Sequence, residues 1–317
     1  MPTLQEIAIC PNCASTRLDW NPLSVSCLDC RGDYRREDEY VDFVNDGALG
    51  ELETRALDTW GNDLHAAALA APAHFTQVRD IFPDAWLGAL KGNVLEIGCG
   101  SGTDILQLGR LNDAASLFGF DIGANAAALS REFKGQKNIR VFRANALRIP
   151  VRNETADMVY SFGVIHHTRD PGKCFEEAHR VLREGGAMFF YLYSAHEDNP
   201  FKFAGVLLEK ALMGAVIAVP QLLRAPLFFA ISLPCLLLFS WPAQLLRLIG
   251  LERFARKFPM HWGTTPQSIL PDLKDRLLAP VNHRFLKKDL GRLLAKARFR
   301  EVRIEKTSAG LYGYCVK

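Results

Sequence analysis

Four cysteines near the start of the chain have the spacing of metal ligands. They form two Cys-x-x-Cys pairs, Cys10 with Cys13 and Cys27 with Cys30, with thirteen residues between the pairs. Zn²⁺ prefers four thiolates in a tetrahedron, and such a closed shell is structural because no position is left for water. A segment this short cannot build a sufficient core, so the metal would stabilise it. We predict a structural zinc site here; the alternatives are a redox pair or unliganded thiols.

A second signal is a glycine-rich turn after an apolar run, Val94-Leu95-Glu96-Ile97-Gly98-Cys99-Gly100-Ser101-Gly102. Glycine is needed where the backbone bends sharply or lies against a ligand, because any Cβ would collide. The spacing is Gly-x-Gly-x-Gly, whereas a dinucleotide fingerprint would place its third glycine at position 103, which is Thr. We therefore interpret this turn as a cofactor-binding loop of another kind. The alternatives are an NAD site and a purely structural turn.

This loop and the residues after it resemble class I S-adenosylmethionine-dependent methyltransferases. The loop resembles motif I of that family, and Phe118–Ile122 resembles its second strand. The stretches Leu147–Pro150 and Asp157–His167 resemble the type-11 branch, and the likeness continues through Phe175–Gly186. The resemblance covers most of residues 93 to 193 and implies S-adenosylmethionine as the methyl donor.

The resemblance also assigns donor-binding residues. Asp121 would accept hydrogen bonds from two ribose hydroxyls, which suits an ionised carboxylate. Asn145 stands where the family usually has an acid that receives the adenine amino group, so the sequence departs from the pattern there. The predicted donor-binding residues are Glu96, Gly98, Gly100, Gly102, Asp121, Ile122, Asn145, Ala146 and Ser161.

Two histidines, His166 and His167, follow the fourth strand of the predicted core, at the end where acceptors dock. Methyl transfer from a sulfonium is a single in-line displacement, and a base is required only if the acceptor must lose a proton. Histidine titrates near neutrality, so we predict that one of the two is a catalytic base. The alternative is that the pair shapes the loop. Tyr193 and His283 are weaker candidates for contact with the acceptor.

Strands and helices alternate through the middle of the chain, which predicts a Rossmann-like, doubly wound, mostly parallel α/β sheet. Ligands of such sheets bind at the carboxyl ends of the strands. Predicted strands are 93–97, 115–120, 138–142, 156–161, 187–193, 302–305 and 311–316, and predicted helices are 103–110, 124–133, 172–182 and 289–299. A turn is predicted at Glu184-Gly185-Gly186, and the Ala- and Leu-rich residues 49–90 have helical spacing.

Residues 225–246 contain no charged side chain, and this run is long enough to cross a bilayer. They also contain Pro226, Pro234 and Pro242, which predict that the run breaks into short helices. We prefer a broken hairpin that lies on the membrane or dips into it, with basic neighbours facing anionic lipid. The alternatives are a buried lid and a true membrane span.

The formal net charge of +3 is too small for the broad basic face that nucleic acid requires. The first nine residues do not resemble a signal peptide, so we expect a reducing cytoplasmic location, peripheral at the inner face of the membrane. Predicted segments are a zinc ribbon (1–46), a helical linker (47–92), the donor-binding core (93–200), the apolar helical insertion (201–270) and the completion of the core (271–317). We expect the ribbon core to be separate from the donor-binding core.

These observations predict a methyltransferase for a small, hydrophobic or lipid-like acceptor. One alternative is an RNA methyltransferase that docks rRNA or tRNA through its ribbon, because the ribbon resembles those preceding some RNA-modifying methyltransferases. The mixture of acids and arginines in residues 29–42 argues against phosphate binding. A second alternative is a donor-binding, membrane-associated module that has lost catalysis.

Overall fold

The computed structural model describes residues 1–60 and 74–317. Its described strands form one sheet in the order β1-β2-β3-β4-β7-β6-β5-β8-β9-β11-β10. The strands are β1 Leu18–Trp20, β2 Ser24–Cys27, β3 Asp33–Glu37, β4 Tyr40–Asp42, β5 Asn93–Ile97, β6 Ser116–Asp121, β7 Ile139–Arg143, β8 Ala156–Phe162, β9 Leu182–Leu192, β10 Arg300–Lys306 and β11 Leu311–Val316.

The five central strands run parallel in the order β7-β6-β5-β8-β9. This is the strand order of a Rossmann-type sheet, with the order reversing beside β5, where a crevice opens for a ligand. Strand β11 is antiparallel to β9 and lies between β9 and β10. The predicted fold class, a mostly parallel α/β sheet, is confirmed.

Helices flank the sheet and connect its strands. The described α-helices are α1 Leu4–Ile7, α2 Glu51–Trp60, α3 Phe75–Ile81, α4 Pro83–Ala89, α5 Thr103–Leu111, α6 Asn125–Glu132, α7 Pro171–Val181, α8 Pro200–Ile217, α9 Gln221–Cys235, α10 Trp241–Leu248, α11 Glu252–Ala255, α12 Pro266–Leu278 and α13 Lys287–Lys296. Short 3₁₀ turns occur at 46–48, 133–135 and 165–167. Of the helical prediction for residues 49–90, positions 61–73 lie outside the described residues.

The turn predicted at Glu184-Gly185-Gly186 is wrong, because β9 already begins at Leu182. Leu182 pairs with Ala156, and the register shifts before Met158 pairs with Ala187. Gly185 has a φ of +73°, which lets the backbone make this irregularity without ending the strand.

The ribbon joins the edge of the main sheet. Strand β4 pairs with β7 through Asp42 and Arg143, and the Arg143 guanidinium also contacts Asp46 at 2.7 Å. Val25 and Phe43 of the ribbon belong to the same buried cluster as the residues of the central strands. The expectation of two separate cores is therefore wrong, since the short ribbon buries its apolar side chains against the sheet.

The prediction that three prolines break the apolar run is also wrong. Residues Gln221–Leu248 form one helix of 28 residues that is long and apolar enough to cross a membrane, judged by length and composition. A π-helical turn at Leu236–Ser240 lies between Pro234 and Pro242 and takes up the change in hydrogen-bond register. Few residues of this helix are buried, so its outer face is uncovered.

Candidate active site

The glycine loop follows β5 and forms the floor of the crevice at the carboxyl ends of the central strands. Gly98 and Gly100 have positive φ values of 74° and 50°, which glycine adopts without strain. A Cβ at Gly98 would collide with the Val164 side chain, so the loop can approach the segment after β8 only with glycine there. Gly98 and Cys99 donate backbone hydrogen bonds to the carbonyl of Phe120, which ties the loop to the end of β6.

Asp121 lies at the carboxyl end of β6, beside this loop. Its two carboxylate oxygens accept hydrogen bonds from the backbone N–H groups of Gly100 (3.0 Å) and Gly123 (2.8 Å). These contacts fix the orientation of the carboxylate. A carboxylate has about four acceptor positions, so two contacts leave capacity for a ligand.

Glu96 lies beneath the loop and is 4% exposed. Burial raises the pKa of this carboxyl well above its usual value, and the nearby Asp104 and Asp121 carboxylates raise it further. One of its oxygens, Oε2, lacks a hydrogen-bond partner among the described residues. Burial therefore favours the protonated form of Glu96, which can donate a hydrogen bond into the crevice.

A cavity of about 430 Å³ occupies the crevice at the carboxyl ends of the central strands. Most of the predicted site residues line it, namely Glu96, Gly98, Gly100, Asp121, Ile122, Asn145, Ala146, His167 and Tyr193. Four predicted residues lie outside its lining. Gly102 precedes α5 with a φ of +77°, and Ser161 donates a hydrogen bond to the carbonyl of Ile97 at 3.2 Å. The other two residues are His166 and His283.

His166 is fully buried, and neither ring nitrogen has a hydrogen-bond partner among the described residues. Burial lowers its pKa well below the usual value, and His167 lowers it further. Its ring packs against the Tyr193 ring with centroids 4.0 Å apart. His166 is thus a neutral packing residue, and of the two histidines only His167 faces the cavity.

His167 belongs to a polar group on the cavity wall. Its Nδ1 lies 2.9 Å from the carbonyl oxygen of Val281, and its Nε2 lies 3.5 Å from Oδ1 of Asp275. The Tyr193 hydroxyl donates to Oδ2 of Asp275 at 2.5 Å. Asp275 keeps a depressed pKa despite its burial, because His167 and the Tyr193 hydroxyl stabilise the carboxylate. His283 lies outside this wall, with its Nε2 3.1 Å from the carbonyl oxygen of Thr168.

Sequence reasoning missed the residues that cover the cavity. Asp272 and Asp275 come from α12, and Leu52 and Glu53 come from α2. Glu53 pairs with Arg169 at 3.1 Å, which links α2 to the loop after β8. Asp275 is more than 100 positions from His167 in the chain, so no local spacing predicts this pair.

Asn145 and Ala146 line the cavity beyond Asp121. The Asn145 side-chain oxygen accepts a hydrogen bond from the backbone N–H of Leu147 at 2.9 Å, which shapes the turn after β7. The amide nitrogen remains available as a donor, and the oxygen has a second lone pair.

The four cysteines come together at one end of the ribbon. Their sulfur atoms all lie within 4.8 Å of one another, with Cys10 and Cys30 at 3.5 Å and Cys13 and Cys27 at 3.6 Å. A Zn–S bond of 2.3 Å in a regular tetrahedron places sulfurs about 3.8 Å apart, so the cluster has the dimensions of a Cys₄ zinc site. It is the one such cluster of metal-binding side chains found in residues 1–60 and 74–317.

The fold and the crevice define an α/β protein with a nucleotide-type ligand site beside a glycine loop. Residues 95–190 match the family described as "Methyltransferase domain", and this part of the chain is a class I methyltransferase domain, as its resemblance implied.

Curated relatives carry several different methyltransferase names. The chain is 22% identical over 57% of its length to an uncharacterised chloroplastic methyltransferase of Arabidopsis thaliana, covering 60% of that protein. It is 29% identical over 36% of its length to a 2-methyl-6-phytyl-1,4-hydroquinone methyltransferase of Oryza sativa subsp. japonica, covering 34% of that protein. It is 27% identical over 48% of its length to a tRNA (carboxymethyluridine(34)-5-O)-methyltransferase of Mus musculus, covering 23% of that protein. The chain thus spans less than two thirds of each of these relatives.

Among solved structures, an S-adenosylmethionine-dependent methyltransferase from Mesorhizobium loti is 14% identical with a TM-score of 0.47. That match covers 79% of this chain and all of the other chain. The strand order described above, and not this level of likeness, defines the fold.

Proposed function

We propose that this chain transfers a methyl group from S-adenosylmethionine to a small, apolar or lipid-like acceptor. The observation that carries the proposal is the cavity of about 430 Å³ beside the glycine loop and Asp121. Its volume lies within the range of roughly 300 to 1,000 Å³ that cofactor and small-molecule sites occupy. The relatives with methyltransferase names and the matched methyltransferase domain support the same activity.

The residues at the floor of the cavity fit the donor. Asp121 would receive the ribose hydroxyls on the carboxylate positions that Gly100 and Gly123 leave open. Asn145 would contact adenine through its amide. Glu96, whose protonated form burial favours, would act as a hydrogen-bond donor below the loop. The bound donor supplies an electrophilic methyl group, so the chain has only to orient the reactants and exclude water.

The acceptor would lie against His167 and Asp275 on the opposite wall. The Val281 carbonyl favours a proton on Nδ1 of His167, which leaves Nε2 to accept a proton from an acceptor hydroxyl. Asp275 would then stabilise the resulting imidazolium, and the Tyr193 hydroxyl holds the carboxylate in place. We propose His167 as the catalytic base and Asp275 as its positioning residue.

The surfaces of the protein favour a lipid-like acceptor over RNA. In the ribbon, exposed arginines are paired with acids, as in Arg17 with Asp29 at 2.8 Å and Arg35 with Glu37 at 3.5 Å. Such a surface has little surplus positive charge for phosphate. Because tRNA methyltransferases are among the relatives, RNA is the competing class of acceptor.

We further propose that the insertion rests on a membrane surface. The helix Gln221–Leu248 is about 42 Å long and presents large apolar side chains to the outside, including Leu222, Leu238, Leu245 and Leu248. Trp241 and Trp262 are partly exposed beside it, where a membrane interface would accept their rings. An apolar face of this extent on a soluble monomer needs a partner. Arg253, Arg256 and Lys257 follow this helix and are exposed, which suits an anionic lipid surface.

We also propose that Cys10, Cys13, Cys27 and Cys30 hold one structural zinc ion. Two tight turns present the sulfurs: Ala14 donates its backbone N–H to the Cys10 carbonyl, and Arg31 donates to that of Cys27. Ala14 and Arg31 have positive φ values of 57° and 61°, which these turns require. When bound, the metal would crosslink the two turns and strengthen the ribbon.

Product analysis tests the proposed reaction. Purified protein with a radiolabelled methyl donor should label a component of a total lipid extract and leave tRNA and rRNA unlabelled. His167→Asn should lower kcat for a hydroxyl acceptor by roughly 10² to 10⁴ while donor affinity changes little. His166→Phe is the matched control, because this neighbour does not line the cavity. Label found in RNA would refute the lipid acceptor, and full activity of His167→Asn would refute the base.

A further inference from the structure

A second cavity lies within the insertion, between α8, α9 and α12. It measures about 120 Å³, and most of its wall is apolar, including Leu212, Ile231 and Leu277. Typical small-molecule pockets start at roughly 300 Å³, so this cavity can hold only one end of a longer molecule. It is distinct from the methyl-transfer cavity, because α12 separates them: Asp275 lines the first and Arg276 lines the second.

Lys202 lies on the wall of this second cavity and is 7% exposed. Its Nζ donates a hydrogen bond to the carbonyl of Ser308 at 2.5 Å. Within the described ranges, 1–60 and 74–317, its ammonium makes no ion pair. An ammonium has three donors, so two of them have no partner among the described residues. Buried charges in proteins are normally paired, which makes this one anomalous.

The neighbouring charges do not neutralise Lys202. Glu209 is bound by Arg284 and Arg276, and Arg276 also contacts Asp272 at 2.7 Å. Asp198 favours the charged form of Lys202, but its carboxylate is exposed and bound by Lys306 at 2.7 Å. Among the described residues, no acid therefore pairs directly with Lys202. Burial, together with the nearby Arg276, lowers the pKa of Lys202 to about 8, so the group is still mostly protonated at pH 7.

The position of Lys202 in α8 makes the surplus charge less favourable still. It lies in the first turn of the helix, where the positive end of the helix dipole disfavours cations and favours anions. Gly205, Leu208 and Leu212 follow it at helical spacing on the same cavity wall. Leu208 is 54% exposed, so this wall leads from the buried ammonium to the apolar outer face.

We propose that this second cavity binds the anionic head of a long-chain amphiphile, with its carboxylate or phosphate on Lys202 and its chain along the exposed apolar face of α8. The buried ammonium supplies the charge that recognises the head, and the small volume admits only the head. The apolar wall leads the hydrocarbon chain of the ligand to the protein surface. This ligand is independent of the methyl donor and of the acceptor.

Binding of oleate to the lipid-free, full-length protein tests the proposal. Calorimetry should show binding by the wild type and no detectable binding of acetate or inorganic phosphate, because a head alone gains no apolar contact. Lys202→Met should weaken oleate binding by about 10- to 100-fold, the loss expected for a charge-assisted contact. Lys210→Met is the matched control, since it removes an exposed charge from the same helix and should change binding less than about twofold.

Thermal unfolding separates this role from a purely structural one. If Lys202 is a ligand site, Lys202→Met should unfold at the same or a higher temperature than the free wild type, and oleate should stabilise only the wild type. A loss of stability in Lys202→Met together with no oleate binding by the wild type would overturn the proposal. Binding only to vesicles that contain phosphatidylglycerol, and not to free oleate, would assign the head to a membrane phospholipid instead of a free fatty acid.

Discussion

Removing the charge of Glu209 should show how the insertion is anchored to the catalytic domain. Glu209 is 7% exposed and contacts Arg284 through both carboxylate oxygens, at 2.5 and 2.6 Å. It also accepts from Asn282 at 2.9 Å and lies 3.4 Å from Arg276. Without the Glu209 carboxylate, Arg276 still has Asp272 as a partner. The Arg284 side chain is 3% exposed and would become a buried, unpaired charge.

Breaking a buried ion pair from one side costs about 3 to 5 kcal/mol. A Gln side chain keeps one acceptor oxygen, so we expect Glu209→Gln to lower the free energy of unfolding by about 3 kcal/mol, near the low end of that range. Urea denaturation followed by circular dichroism measures this change. Limited proteolysis should show the earliest new cleavage within residues 200–250, because α8 loses its polar contact with the catalytic domain.

Glu252→Gln is the matched control for this prediction. Glu252 also contacts two arginines, Arg247 at 3.0 Å and Arg256 at 2.9 Å, but this group is exposed. Its loss should change stability by no more than the error of the measurement. The double variant Glu209→Leu with Arg284→Met should recover most of the stability that Glu209→Gln loses, because neither charge is then buried alone. Equal losses for Glu209→Gln and Glu252→Gln would refute the reasoning.

Three further predictions concern the ribbon, the apolar face and a buried histidine. Elemental analysis should find one zinc ion per chain. Cys13→Ser should abolish zinc binding, and Cys235→Ser should leave the zinc content unchanged. Wild-type protein that contains no metal when prepared without chelator would contradict the site. The protein should sediment with anionic liposomes, and Leu237→Glu with Leu245→Glu should prevent this without unfolding the chain; wild type that stays in the supernatant would contradict membrane contact. Because burial keeps His166 neutral, the unfolded chain binds a proton below pH 6.5 that the folded chain does not. His166 should thus contribute a fall in the free energy of unfolding of about 1.4 kcal/mol per pH unit below 6.5, and His166→Phe should reduce the total slope by that amount. A slope of the same sign should remain, because burial also lowers the pKa of His196 and His261.

The sequence was sufficient for the parts of the fold in which local pattern decides. Strand β5 follows the apolar run 93–97, and the glycine loop and Asp121 meet at the crevice because the carboxyl ends of neighbouring parallel strands share one edge. The strand at Leu311–Val316 also has its predicted bounds. These features depend on periodicity and on glycine, which are local properties of the chain.

Features that depend on long-range packing were not predictable in the same way. The contact of His167 with Asp275 depends on how α12 packs over the sheet. Helix α12 comes after the long apolar helix in the chain, so its position depends on how that helix packs. The continuity of the helix at residues 221–248 depends on a π-helical turn that compensates for its prolines, which no proline count reveals. The ribbon and the sheet share one core because β4 pairs with β7, and this pairing consists of a single pair of residues.

Affinity for S-adenosylmethionine is the most direct test of the central claim. Isothermal titration of the full-length protein should show binding, and Asp121→Ala should weaken it by about 2 to 3 kcal/mol, or roughly 30- to 150-fold, through loss of charge-assisted hydrogen bonds to the ribose. Gly100→Leu should abolish binding, because the glycine has a φ of +50° and lies against the cavity. Asp113→Ala, which removes an exposed carboxylate before β6, should bind as the wild type does. No binding by the wild type, or equal binding by Asp121→Ala and Asp113→Ala, would contradict the account.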